Sequence, residues 1–261
     1  MSVLNYDQSF CLNGQFLSGI TDIDFSSDFG VGFISTLGSK AFGFAKVNPS
    51  VGKVDFSRSL IYADPIINYS GESAFSGQFS SKGVSYGFES GYLGSYSVSC
   101  GIGQMPAVSC GISVYGEMKT GAANQSFTAH PEVFVPSPKS ISLINDYSSN
   151  YIQSFNYSFE VIRKPQYALG HGLFPVEVST IYPIQVSSSI TFHVKNFSPL
   201  DLQNFIRNNS SPSFSIRVKN RDLSQTLMTL PMENATIISQ DIQGTVDSPL
   251  SITLGYKGYL E

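Results

Sequence analysis

The sequence predicts an all-β to α+β chain of two antiparallel β-sandwich or barrel domains with one short helix. Three observations predict it: apolar residues recur at every second position, turn residues punctuate those runs, and charge is scarce. One-sided alternation marks strands with one buried and one open face, as in antiparallel sheets, whereas the strands of a parallel α/β sheet are buried on both faces. Of 261 residues, 41% are hydrophobic and only 13% charged, about half of the usual quarter. Ser takes up the deficit at about one residue in six, together with 23 Gly. Such a composition excludes a coiled coil, a charged tail and a charged disordered segment. The formal net charge of −4, from 15 basic and 19 acidic residues, lacks the basic excess of a general phosphate-backbone binder.

Taken in chain order, Asp22, Asp24 and Asp28 come first. They read as a solvated acidic strand face, because a calcium loop needs more oxygen ligands and a closing Glu. Residues 25–52, FSSDFGVGFISTLGSKAFGFAKVNPSVG, hold Phe29, Phe33, Phe42 and Phe44 among glycines. Two readings stand: an arm or extended hairpin that orders against a neighbour, and a strand pair with a Gly-rich turn that packs the rings in its own core. A hairpin follows over 95–115. In it Tyr96, Val98, Cys100 and Ile102, then Val108, Cys110, Ile112 and Val114, alternate with Ser95, Ser97, Ser99 and Ser109, Ser113.

Residues 119–139 lose the alternation and carry Pro131, Pro136 and Pro138, each of which interrupts a ladder. They divide the chain into a first β domain (1–120), a linker (121–139) and a second β domain (140–261). Strands are expected at 155–161, 184–194 and 214–218. One helix is expected at 198–208, with Ser198 as N-cap, Pro199 at its first position, and Leu202, Phe205 and Ile206 on a core-facing stripe. A second hairpin over 240–256 repeats the pattern, with Leu250, Ile252, Leu254 and Tyr256 alternating with Ser251, Thr253 and Gly255. Glu89, Ser95, Pro106 and Gly116 stand roughly where Glu233, Ser239, Pro249 and Gly258 stand, and RSLIYA (58–63) echoes RKPQYA (163–168). Together these echoes point to an internal duplication.

Chemistry leaves few marks. GVSYG at 83–87 matches a nucleophile elbow with Ser85, and Glu132, Asp146, His171 and His193 are nominal partners. The elbow needs a strand-to-helix turn, however, and the residues after Ser85 read as strand. His130, His171 and His193 are isolated, and Cys11, Cys100 and Cys110 form no CxxC pair, so neither a zinc site nor a disulfide framework is expected. Cys100 and Cys110 can approach across the hairpin, but the N-terminus lacks the basic and apolar regions of an export signal, and a reducing compartment disfavours a disulfide. No catalytic residue, metal or cofactor is expected, and no apolar run reaches the length of a membrane span.

Several segments resemble the tail tube (major tail) proteins of tailed bacteriophages: GQFLSGITDIDFSSDFG, VDFSRSLIYADPIINYSG, ESGYLGSYSVSCGIG, FEVIRKPQYALG and YPIQVSSSITFHV. The resemblance lies in organisation over most of the chain and includes no signature motif. It implies a virion structural protein, assembled in the host cytoplasm, whose rings stack into a hollow conduit for DNA ejection. A duplicated subunit would form homotrimeric rings of pseudo-sixfold symmetry. By the same resemblance the hairpins line the lumen through Ser95, Ser97, Ser99, Ser109, Ser113, Gln243, Ser251 and Thr253, while Phe29, Phe33, Phe42 and Phe44 belong to an arm that reaches the adjacent ring. Expected partners are further copies of the chain, tape-measure and terminator proteins, and DNA in transit without sequence-specific binding. A capsid decoration or baseplate protein is the rival reading. A carbohydrate-binding adhesive module is a weaker one, disfavoured by the absence of Trp.

Overall fold

A computed structural model describes residues 8–28, 31–35, 42–46, 50–81, 84–121, 141–144, 152–194, 213–220, 223–245 and 248–260. The first half contributes β1 (Gln8–Leu12), β2 (Gln15–Phe16), β3 (Ile20–Asp28), β4 (Val31–Ser35), β5 (Phe42–Lys46), β6 (Val51–Ser59), a 3-10 helix (Ile66–Ser70), β7 (Phe75–Ser81), β8 (Val84–Gly101), β9 (Ala107–Val114) and β10 (Met118–Thr120). The second contributes β11 (Ile141–Ile144), β12 (Ile152–Glu160), β13 (Arg163–Gln166), β14 (Glu177–Thr180), β15 (Ile184–Val194), β16 (Ser213–Lys219), β17 (Thr226–Thr245) and β18 (Ser248–Leu260). The fold is nearly all β and antiparallel, as the alternation predicts. The expected linker beyond Gly121 and the expected helix at 198–208 lie outside the described residues.

Eight strands run side by side in the order β3, β6, β9, β8, β12, β15, β18, β17. The sheet is continuous across the middle of the chain because β8 pairs with β12. β8 and β17 are unusually long, 18 and 20 residues, and each pairs with different neighbours along its two parts. The N-terminal part of β8 pairs with β7 and β10, and β7 with β1, which also pairs with β2. In the second half the N-terminal part of β17 pairs with β16, and β16 with β11. A strand with one apolar face can turn from one layer into the other while keeping that face inward, and the buried side chains of both halves join in one core cluster.

The core is built where the two layers meet. Phe10 of β1 packs on Phe56 of β6 at 5.2 Å between ring centroids, and Phe214 of β16 on Tyr256 of β18 at 4.8 Å. The Phe88 ring is fully buried in a slot between Gly77 and Gly91, where a Cβ at either position would collide with it. Burying such a ring stabilises the fold by about 1.5–3 kcal/mol.

The two halves of the eight-stranded sheet match strand for strand. Within each four-strand block the first strand carries a bulge against the second, between Ile20 and Asp22 in one and between Ile152 and Ser154 in the other. The long strand carries a second bulge, between Leu93 and Ser95 and between Ile237 and Ser239. Opposite it stand Gly111 and Gly255, each too close to the facing Ser95 or Ser239 hydroxyl to admit a side chain unmoved. The Ser95 and Ser239 echo therefore falls at equivalent places. The RSLIYA and RKPQYA echo does not: Arg58 stands opposite Ile20 as Phe192 stands opposite Ile152, while Arg163 opens the hairpin beyond β12.

Candidate functional site

The eight-stranded sheet has one apolar face in the core and one polar face turned outward. Strand parity decides which residues share the polar face. Ser57, Ser109, Ser97, Ser158 and Ser187 stand in register across β6, β9, β8, β12 and β15, with Asp22 of β3 at one end of the row and Lys257 of β18 at the other. Neighbouring hydroxyls bond to one another: Ser57 Oγ lies 3.1 Å from Ser109 Oγ, and Thr191 Oγ1 lies 2.9 Å from Thr253 Oγ1. The residues singled out from the sequence, Ser95, Ser97, Ser99, Ser109, Ser113, Gln243, Ser251 and Thr253, all lie on this face. Parity within the two hairpins was signal enough to find them.

Charge on the face is one-sided. Asp22, Asp24, Asp28, Asp55, Glu160 and Asp241 share it with Lys53 and Lys257, and Lys53 Nζ pairs with Asp55 Oδ2 at 2.7 Å. The three aspartates of β3 do form an exposed acidic strand face, as expected. A groove of about 840 Å³ crosses the serine row, floored by Ser57, Ser97, Ser109 and Ser158 and walled by Ile162 and Tyr182. Its hydroxyls and carboxylates suit hydrogen bonding to water or to a polar surface.

Both outer strands have an open edge. Among the described residues β3 pairs with β6 alone, and the stretch of β17 from Thr236 onward pairs with β18 alone. The edge exposes apolar side chains that are covered at the equivalent internal position. Val98 on β8 is 1% exposed because β12 lies beside it, while Ile242, its counterpart on β17, is 40% exposed. On β3, Ile20, Ile23 and Phe25 are only partly buried against the core.

The arm segment forms a separate two-stranded hairpin of β4 and β5, with Phe33 opposite Phe44 and Phe42 opposite Ser35; Phe29 lies outside the described residues. A hairpin that sequence reasoning missed, β13 with β14, occupies the same place between β12 and β15. Tyr167, Leu169, Phe174 and Val176 are exposed in the loop at its tip. At its base Arg163 donates to the Leu93, Gly71 and Ser70 carbonyls (3.1, 2.7 and 3.3 Å) and to Thr180 Oγ1, and lies over the Tyr92 ring. The hairpin of the second half is thus tied to the first.

The remaining sequence candidates fall elsewhere. Ser85 sits within β8 opposite Ser80, not at a strand-to-helix turn, so the elbow geometry is not formed. His193 Nδ1 is 2.7 Å from Gln153 Nε2 on the neighbouring strand. Cys11, Cys100 and Cys110 are buried free thiols, and Cys110 stands opposite Tyr96, not Cys100. Burial pushes the Cys11 and Cys100 thiols up to about 11 and that of Cys110 well above its ordinary value. No protein-family model matches the chain, and no curated protein matches it.

Proposed function

We propose that the chain is a self-assembling virion structural protein, a subunit of a phage tail tube whose stacked rings form a conduit for DNA ejection. One observation carries this reading: two like four-strand blocks are joined in tandem by β8 and β12, and the two edges left open among the described residues, β3 and β17, are the same two kinds of edge that meet at that internal seam. A contact of this head-to-tail kind repeats from copy to copy, and it closes into a ring when its rotation divides a full turn. The matching bulges support an ancestral duplication. The resemblance to tail tube proteins supplies the number, three copies and six blocks.

The remaining features take their place in that reading. The polar face becomes the lumen, where hydroxyls hold water and an excess of carboxylates repels passing phosphates, so that DNA slides without sticking. The β4–β5 hairpin, with Phe33, Phe42 and Phe44, contacts the next ring. Tape-measure and terminator proteins are the further partners, and assembly takes place in the host cytoplasm without a membrane.

Electron microscopy of the purified protein at high concentration tests the proposal. Rings of three copies or hollow tubes are the expected result. Discrete monomers that never associate would overturn it and leave the decoration or baseplate reading, in which the chain binds another lattice.

A further inference from the structure

We infer that β3 pairs with β17 of a second copy in one defined register: Asp28 opposite Ser239, Ser26 opposite Asp241, Phe25 opposite Ile242 and Asp24 opposite Gln243 of the neighbouring copy. The inference rests on the ring reading and adds to it the partner strand, its residue pairs and the charge of the junction.

The register comes from the internal seam. There Ser95, Ser97, Val98 and Ser99 of β8 stand opposite Glu160, Ser158, Tyr157 and Asn156 of β12. The first pair of bulges makes β3 equivalent to β12, with Ile20 matching Ile152 and Asp22 matching Ser154. The second pair makes β17 equivalent to β8, with Leu93 matching Ile237 and Ser95 matching Ser239. Carrying the internal pairs through both equivalences leaves one alignment. It also satisfies the side-chain period of two, since a slip by one residue would set the inward Ile242 against an outward residue of β3 in place of Phe25.

The alignment accounts for what the edges expose. Ile242, 40% exposed, comes to lie beside Phe25, whose ring already contacts Phe10, Phe79 and Tyr86. Pairing in this alignment gives each edge strand a second ladder, as β8 and β12 have.

The two seams are not equal in strength. Inside the chain Tyr96 stacks on Phe159 at 5.3 Å across β8 and β12; between copies the same positions hold Gln240 and Ser27. On the polar side the internal seam carries one carboxylate, Glu160. The junction between copies brings Asp22, Asp24 and Asp28 of one edge against Asp241 of the other, with the Lys53–Asp55 pair on β6 behind β3 and Lys257 on β18 behind β17. Association of copies is therefore opposed by like charge, while the fold within each copy is not.

Cysteine pairs in the full chain test the register. Residues directly opposite have Cβ atoms about 4.5–5.5 Å apart and diagonal neighbours about 7–8 Å, so under mild oxidation only the former close a disulfide readily. Ser97→Cys with Ser158→Cys is the intrachain reference at the equivalent seam position, and the native chain supplies the background of its buried thiols. Ser26→Cys with Asp241→Cys, both exposed positions, is expected to give linked dimers and trimers on a non-reducing gel. Ser26→Cys with Ser239→Cys is expected to give at least tenfold less. If the native chain forms rings but the second pair links as well as the first, or neither links while the reference does, the register is overturned and the ring reading stands. If the native chain forms no assembly by microscopy, both fall together.

Discussion

Tyr96 Oη donates a 2.8 Å hydrogen bond to Asp64 Oδ2 inside the core of the first half. Asp64 accepts a second bond from the Ile66 amide at 3.1 Å and has the Arg58 guanidinium 3.6 Å away, all with side chains shut off from solvent. The carboxylate thereby ties the entry to the 3-10 helix onto the centre of β8. Tyr96→Phe keeps the ring and removes the donor. A buried acceptor that loses a partner costs about 1–3 kcal/mol, so urea denaturation of this variant should show that loss at an unchanged m-value.

Arg58 is the other half of that cluster, and its Nε and Nη1 have no hydrogen-bond partner among the described residues. The pair is therefore an imperfect one in the interior. Arg58→Ala leaves the Asp64 charge uncompensated and should destabilise the fold by about 3–5 kcal/mol. The double variant Arg58→Met with Asp64→Asn should cost less than the single one, since both charges are then gone while the amide oxygen still accepts from the Ile66 amide and the amide nitrogen can donate to the Tyr96 oxygen. Equal or greater loss in the double variant would contradict this account of Asp64.

Buried thiols and phenols set the alkaline limit. Desolvation raises Cys11 and Cys100 to about 11, and raises Cys110 and Tyr96 well above their ordinary values, with the Asp64 charge adding to the last two. A group held protonated in the fold contributes stability that is complete below its unfolded pKa, about 8.5 for a thiol, and is lost as pH rises through the folded value. The melting temperature should be flat from pH 6 to about 8.5 and fall steadily toward pH 11. At pH 8 iodoacetamide should label these thiols slowly in native protein and quickly in urea.

The acidic junction predicts a salt dependence opposite to that of an ion-paired interface. Raising ionic strength from about 0.01 to 0.15 M shortens the Debye length from about 30 to 8 Å, which screens Asp24 and Asp28 from Asp241. Light scattering should report faster assembly at the higher salt. Asp24→Asn combined with Asp241→Asn should assemble at low salt and lose most of that dependence. Slower assembly of this variant would argue that the carboxylates attract a partner.

Much of the fold was legible in the residues. The strand expected at 184–194 is observed over the same span because one face is buried from Ile184 to Phe192, and such a face imposes a period of two. β8 was legible only from Tyr96 on. Its first turns, VSYGFESGYLG, mix glycines with rings because the strand changes neighbours there and Phe88 needs two glycines to fit. The 3-10 helix at Ile66–Ser70 left no signal: its Asp64 is held by Tyr96 and Arg58, both remote in sequence.

The candidate site divides in the same way. That Ser95, Ser97, Ser99 and Ser109 face away from the core follows from the sequence by itself, since alternation assigns each side chain a face. That Ser97 lies beside Ser158, that the two blocks stand in tandem, and that β3 and β17 are the edges left open among the described residues were decided only by the tertiary structure. The physical reason is that side chains choose the face, whereas strand order is set by backbone amides and carbonyls that nearly every residue carries alike, together with the packing of residues far apart in the chain.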